Sequence, residues 1–290
     1  MEGEPKKEAI NNSQEKVGPT AWGIAYRRAN CDIPFAKDIL DELVKVMTPE
    51  EKEKMESLVS EKDQALTPQF EARYKLLNRL LKQENVSQVL ELAAGVAPRG
   101  LEMTEDSAVT YVEVDLPGIS QQKKTILDAL VHQGTPPRPH FFLEQGDALS
   151  QADLERATVH FSAQKPLAVV HEGLMRYLNF EQKAQVAKNI KALLETYGGV
   201  YITPDITLKV FIDERVQKIF SNMIGMDANA NAFENVEAAE KFFGDLGFTV
   251  EQHPFAEIKD ELVSPQKLRL SEEQVQNAIG APVFFVMRLK

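Results

Sequence analysis

The sequence predicts an α/β fold: a mostly parallel sheet with helices packed against it. Two observations carry this reading. From Gln88 onward, short β-branched or aromatic runs alternate with helical patterns, as in stacked βαβ units. The chain then ends on two strand-like runs without the compact crossover helix of the earlier units, which suits an antiparallel pair closing the sheet. With 290 residues, 43% of them hydrophobic, the chain can build a sizeable core.

Taken in order, the polar residues 1–17 read as a disordered tail. Residues 18–86 read as a helical N-terminal cap, with a charged helix at 48–62 and a stronger one at 67–85 opened by Thr67 and Pro68. Residues 87–290 form the core. Its strands are expected at 88–92, 109–114, 140–145, 167–171 and 199–204, followed by 247–255 and 281–290. Between them, Ile119, Ile126, Leu127 and Leu130 share one helical face, as do Val186, Ile190, Leu193 and Leu194. Asn179 is placed to cap the second of these helices, and Gly198 to stop it. A helical, Met-bearing insertion is expected at about 205–234, with Phe211, Val216, Ile219, Phe220, Met223, Ile224 and Met226 at spacings that suit packing.

Bulk properties narrow the function. The net charge of -11, with no long basic block, argues against nucleic acid as a partner. One cysteine, Cys31, allows no disulfide framework and no multi-cysteine zinc site, and no metal is expected. No apolar run approaches the roughly 20 residues that cross a bilayer. The expectation is therefore a soluble cytoplasmic protein, monomer or homodimer, that meets a small molecule and no membrane.

Ligands of open parallel sheets collect at the carboxyl ends of the strands, where the first strand turns into its helix. "VLELAAGVAPRG" (89–100) occupies that place. Gly95 permits close backbone approach, yet the stretch lacks the G-x-G-x-x-G spacing of a dinucleotide turn. "YVEVDLPG" sets Glu113 and Asp115 about 20 residues further on, where an acid reaches ribose hydroxyls. Asp147, after Gly146, and Glu172 end the next two strands. Asp147 also reads as a turn or helix-capping residue, and Asp115 as a turn stabiliser. Together, Glu91, Asp115, Asp147 and Glu172 deliver an acid from four consecutive strands to the same edge of the sheet, and an edge that repels itself in this way calls for hydroxyls, an amine and a cation to bind. S-adenosylmethionine carries all three. Arg99, past the turn, is expected to pair with one of the acids or to face solvent.

"VLELAAGVAPRG", "YVEVDLPGISQQKKTIL", "QGDALS" and "HEGLMRYLNFEQ" together resemble the class I S-adenosylmethionine-dependent methyltransferases, and within them the leucine carboxyl methyltransferase-like O-methyltransferases. The E-V-D-x-P signature with its lysine-bearing helix and the E-G-x-x-x-Y-L signature are the specific parts. The resemblance implies a Rossmann-like seven-stranded sheet whose last strand is antiparallel. It also implies that Gly95 lines the methionine part of the cofactor, that Asp115 binds the ribose, and that Asp147, Ala148 and Leu149 surround the adenine. Glu91, Ala93, Leu116 and Gly146 would complete that pocket. Glu172 would lie near the amino or sulfonium end, Arg73 would hold the carboxylate, and Tyr177 would close over the reacting centre. Members that methylate a protein's terminal carboxylate carry an N-terminal lysine where this chain reads "AWGIAYRRANCDIPFAKD", so a small-molecule acceptor is expected and protein carboxyl methylation is the alternative.

Methyl transfer from a sulfonium is an in-line displacement that needs alignment and exclusion of water. A carboxylate acceptor, with a pKa of about 4, is already ionised and needs a cation, for which Arg27, Arg28 and Arg176 are candidates. A phenol, at about 10, would gain from a base, for which His171 is nearest in sequence. Two rivals stand beside this reading: a nicotinamide-dependent oxidoreductase, and a non-catalytic scaffold that keeps the cofactor.

Overall fold

The computed structural model describes residues 18–57, 61–212, 217 and 227–290. Its strands are β1 (Gln88–Leu92), β2 (Thr110–Asp115), β3 (Phe141–Gln145), β4 (Leu167–His171), β5 (Gly199–Thr203), β6 (Phe248–Pro254) and β7 (Val283–Leu289). They form one sheet in the order β3-β2-β1-β4-β5-β7-β6. Strands β1 to β5 pair in parallel, and β7 runs antiparallel to both β5 and β6. This is the seven-stranded, mostly parallel sheet expected, with the antiparallel strand last in sequence.

Helices α1 (Pro19–Ala29), α2 (Ala36–Val46), α3 (Pro49–Ser57) and α4 (Thr67–Gln83) precede the sheet. Helices α5 (Arg99–Met103), α6 (Pro117–His132), α7 (Gln151–Ala157) and α8 (Phe180–Tyr197) join its parallel strands. Helices α9 (Val236–Asp245), α10 (Ser264–Lys267) and α11 (Glu272–Ile279) follow β5 among the described residues.

Strand alternation sorts the core into two layers. Leu90, Leu92, Val112, Val114, Leu167, Val169 and Tyr201 pack against α8 and α9 through Val186, Ile190, Leu193, Leu194 and Phe243. Val89, Tyr111, Ala168, Val170, Val200 and Ile202 point the other way, onto α4 and α11 through Leu76, Leu77, Leu80, Val275 and Ile279. A third apolar cluster joins Trp22, Ile39 and Leu43 to Val96, Leu101, Ile126 and Leu130, seating α1 and α2 beside the turn after β1. On α6, Ile126 and Leu130 are buried while Ile119 and Leu127 pack at the margin.

Helix α8 begins and ends where its sequence dictates. Asn179 closes a capping box with Gln182, each side chain accepting from the other's backbone N–H. Gly198 stops the helix at φ 66°, a conformation glycine adopts without the clash of a Cβ.

One expectation changes. The charged helix covers 49–57, with 58–60 outside the described residues. Within the insertion, 213–216 and 218–226 lie outside the described residues and Gln217 is helical, while residues 204–208 are irregular, Lys209–Phe211 form one 3₁₀ turn, and Leu208 bridges Phe233. There the backbone hydrogen bonds go across the insertion, Phe233 N–H to the Thr207 carbonyl and Lys209 N–H to the Phe233 carbonyl. Val216, Ile219, Phe220, Met223, Ile224 and Met226 lie outside the described residues, as does the 1–17 tail.

Candidate active site

The turn after β1 adopts left-handed backbone at Ala93 (φ 52°) and Gly95 (φ 55°). The Gly95 N–H donates to Asp115 Oδ2 at 2.8 Å, and the Leu116 N–H donates to Asp115 Oδ1 at 2.8 Å. Asp115 therefore ends β2 with both carboxylate oxygens anchored by main chain, and each oxygen keeps a lone pair for a further donor. Burial raises its pKa above the usual aspartate value, against the pull of those two N–H groups. The Ala93 N–H donates to the Val114 carbonyl and the Gly146 N–H to the Asp115 carbonyl, so the turns after β1 and β3 are both hung on the end of β2.

Beyond β3, Asp147 is exposed and accepts from the Leu149 N–H at 2.9 Å, while Ser150 caps α7. Asp147 is thus a turn-forming residue whose carboxylate remains open to solvent. Ala148 is buried and Leu149 half-buried beside it, with the Ala148 carbonyl held by Asn189 of α8 at 2.9 Å.

A charge cluster lies on the α4 side of the sheet. Glu91 shares the face of Val89, and Glu172, just past β4, continues the face of Ala168 and Val170. Arg99 is fully buried between them: Nη1 lies 2.8 Å from Glu91 Oε1, Nη2 pairs with Glu172 Oε1, and Nε donates to Asn78 Oδ1 at 2.7 Å. Tyr111 supplies Glu91 with a second donor at 2.7 Å. Arg28 Nη2 lies 2.5 Å from Glu172 Oε2, and Arg73 Nε 2.8 Å from the same oxygen but off the line of a hydrogen bond. Burial pushes the Glu172 carboxyl up, but Arg28, Arg99 and Arg73 outweigh it and hold the group down to about 2.

Aromatic rings on α4 carry these guanidiniums. Arg28 and Arg99 lie over Tyr74 at 5.1 and 4.5 Å, and Arg27 and Arg73 over Phe70 at 5.3 and 5.2 Å. Arg73 makes its ion pair and its ring contact and no hydrogen bond among the described residues, so its terminal N–H groups are unspent although it is only 6% exposed. Burial pushes its pKa down to about 10, opposed by Glu172 and reinforced by Arg28 and Arg176. Across the cluster, three guanidiniums meet two carboxylates.

These positions correct the reading of an unpaired acidic edge. Glu91 lies inside β1 and is 1% exposed, because alternation sends it into the helical layer, where Arg99 neutralises it. Glu172 is wrapped by three arginines. Arg99 pairs with two acids and does not face solvent.

His171, expected as a base, is also corrected. It sits on the opposite face, fully buried, with Nε2 2.7 Å from the Tyr201 hydroxyl and Nδ1 3.1 Å from Thr203 Oγ1. With both ring nitrogens engaged inside the core, it has no route to an acceptor. Tyr177 is half-buried in the 3₁₀ turn Met175–Tyr177, beside Arg176. Arg27 is buried, with Nη1 donating to the Gly23 carbonyl at 2.9 Å.

Sequence reasoning missed five contributors. Phe70, Tyr74 and Asn78 repeat every four residues on α4 in line with Arg73, a signal that was readable as one polar-aromatic helix face. Asp205, just past β5, is a fifth strand-end acid. It accepts from the Met175 N–H and from Arg176 Nε at 3.2 Å, fixing the turn that carries Tyr177. Lys123 of α6, buried, pairs with Glu113 and donates to the Ala97 carbonyl at 2.7 Å.

The model of the family described as leucine carboxyl methyltransferase matches residues 24–191, more than half of the chain. Among solved structures, a DUF574 family protein from Streptomyces avermitilis is similar at 17% identity and a TM-score of 0.57, covering 87% of this chain and 95% of that one. A candidate methyltransferase from Thermobifida fusca is similar at 14% identity and a TM-score of 0.50, covering 98% of both chains. At these identities the likeness is one of fold. The chain spans 51% of the length of another match, PigF solved with SAH, at 13% identity, 70% coverage of this chain and a TM-score of 0.44. No curated protein sequence matches.

Removing one member of a buried charge cluster strands its partners. Arg99→Met is expected to destabilise the protein by about 3–5 kcal/mol, measured by urea unfolding at neutral pH. A loss below about 1 kcal/mol would show that Glu91 and Glu172 do not depend on it.

Burial pushes the His171 imidazole down to about 4, against Asp205 and Glu172. An unfolded histidine takes up its proton below about 6.5, the folded one only below about 4. Its contribution to stability is therefore complete above pH 6.5 and is lost as pH falls towards 4. His171→Asn is expected to remove about 3 kcal/mol of that acid-side decline relative to wild type. Unfolding curves at about pH 7 and about pH 4 check this, and equal declines would contradict it.

Proposed function

The chain belongs to the leucine carboxyl methyltransferase family of S-adenosylmethionine-dependent methyltransferases, and from that membership we propose that it methylates an oxygen of a small molecule, specifically a carboxylate. The observation that carries the proposal is the buried arginine cluster, which has one cation more than its carboxylates balance: Arg73 has unspent terminal donors, and Arg28 bonds Glu172 through one terminal nitrogen while its Nε has no hydrogen-bond partner. A buried fork of this kind calls for an anionic ligand group with two oxygens.

The residues present fit the cofactor. Arg73 would hold its carboxylate, and the free lone pairs of Asp115 would accept from its ribose hydroxyls. Ala93, Gly95 and Leu116 would form the wall between these two, and Gly146, Asp147, Ala148 and Leu149 would flank the base. Glu172 would act through the arginines it orients, since its own charge is already matched. When bound, S-adenosylmethionine supplies an electrophilic methyl group on sulfur.

On the acceptor side, Arg28 engages Glu172 through one terminal nitrogen, and its Nε has no partner. It would dock the acceptor carboxylate, with Arg27 and Arg176 adding positive potential and Tyr177 helping to exclude water. A carboxylate, ionised at neutral pH, attacks without a base, which agrees with the seclusion of His171. A phenol would need a proton acceptor that the cluster does not offer. The arginines, standing where protein-directed members carry a lysine, favour small acids over a protein C-terminus.

Two measurements test this. Calorimetry is expected to show S-adenosylhomocysteine binding and no NAD(H) binding, with Asp115→Ala costing about 2 kcal/mol, or about 30-fold. Labelled cofactor offered to small carboxylic acids, phenols and C-terminal peptides is expected to label the small acids. Labelling of phenols or peptides alone would overturn the acceptor class, and cofactor binding without transfer to any acceptor would leave a scaffold.

A further inference from the structure

The turn after β1 is gripped from both sides, by one residue already assigned to the cofactor and by one that is not. Ala93 and Gly95 hold left-handed backbone conformations within three residues. For alanine this is strained, so the turn persists only where its surroundings over-determine it. Asp115 grips it through the Gly95 N–H. From the other side Lys123, 3% exposed, donates Nζ to the Ala97 carbonyl at 2.7 Å while its charge is met by Glu113.

The Lys123–Glu113 pair does not explain itself as a stabiliser. Both side chains are almost fully buried, and a buried ion pair is often no better for stability than apolar residues of the same size. Glu113 is poorly placed besides: Glu91 is its register partner on β1, and its Oε1 has no hydrogen-bond partner. What an apolar pair cannot do is donate to a main-chain carbonyl. The one such bond that Lys123 makes lands on the turn.

We propose that Lys123 is a positioning residue of the cofactor turn: acting through the Ala97 carbonyl, it fixes the Gly95–Ala97 backbone against which the amino-acid end of the cofactor would lie. In this scheme Glu113 is the counter-charge that lets a lysine be buried there, and Lys123 itself touches no ligand. The proposal rests on the cofactor assignment above.

The test is S-adenosylhomocysteine affinity by calorimetry in wild type, Lys123→Met, Glu113→Gln and the double variant. Hydrogen exchange at the Gly95, Val96 and Ala97 amides is measured in the ligand-free proteins. Glu113→Gln, whose amide oxygen can still accept from Lys123, is expected to lose stability but to stay within about 3-fold of wild-type affinity. Lys123→Met and the double variant are expected to bind at least about 10-fold more weakly, the worth of one buried charge-assisted hydrogen bond, with faster exchange at the three amides. Lys123→Arg, which keeps a donor, is expected to recover part of the affinity.

A double variant restored to wild-type affinity and exchange would overturn the proposal, since the lysine would then serve only to neutralise Glu113. So would a Lys123→Met variant with unchanged affinity and exchange. If Lys123→Met fails to fold, the double variant carries the test, because it leaves no unpaired buried charge. Absence of binding to wild type would overturn the cofactor assignment instead, and the exchange rates would still decide whether Lys123 fixes the turn.

Discussion

A single buried guanidinium holds the site together. Arg99 has no exposure to solvent, so its charge persists only because two carboxylates and an amide oxygen meet it. Those partners sit on three different elements: Glu91 in β1, Glu172 beyond β4 and Asn78 on α4. The end of the sheet and the helical layer above it thereby become one electrostatic unit. Because Glu172 is held in place by Arg99, it can orient Arg28 and Arg73 in turn, and the cluster ends with more positive than negative charge. The proposed anion site rests on this way of neutralising the core.

Stacking completes what pairing begins. Phe70 and Tyr74 stand one turn apart on α4, and each lies under two guanidiniums. Rings of this kind hold arginines in place without consuming their hydrogen bonds, so Arg73 can be rigid and still have donors to give. Preorganised donors of that sort need little rearrangement when an anion arrives. The other face of the sheet has its own polar chain, from Tyr201 through His171 and Thr203 to Asp205, and that chain supports the turn carrying Tyr177 without opening to solvent.

The sheet was legible in the sequence because each strand is a short β-branched or aromatic run bounded by turn residues, and β1 and β4 fall on the residues the pattern marks. The strand-end position of Asp115 was legible for the same reason. What the acids do was not. Arg28 and Glu172 are 144 residues apart, and Arg99 and Glu172 are 73, so no local pattern announces the pairing. Alternation held the one available clue: Glu91 is in step with Val89 and out of step with Leu90, which places it under the helices. His171, out of step with Val170, is likewise sent into the core. At the margins of the insertion near 205–234 the backbone hydrogen bonds bridge Leu208 to Phe233, a pairing across 25 residues that no local pattern marks.

In the proposed function the arginine cluster receives a carboxylate. The decisive comparison is the affinity of S-adenosylhomocysteine against that of its decarboxylated analogue, in wild type and in Arg73→Leu. Wild type is expected to lose at least about 10-fold when the carboxylate is removed, and the variant to bind both compounds alike. An equal loss in both proteins would contradict it, because the carboxylate would then be held somewhere other than Arg73.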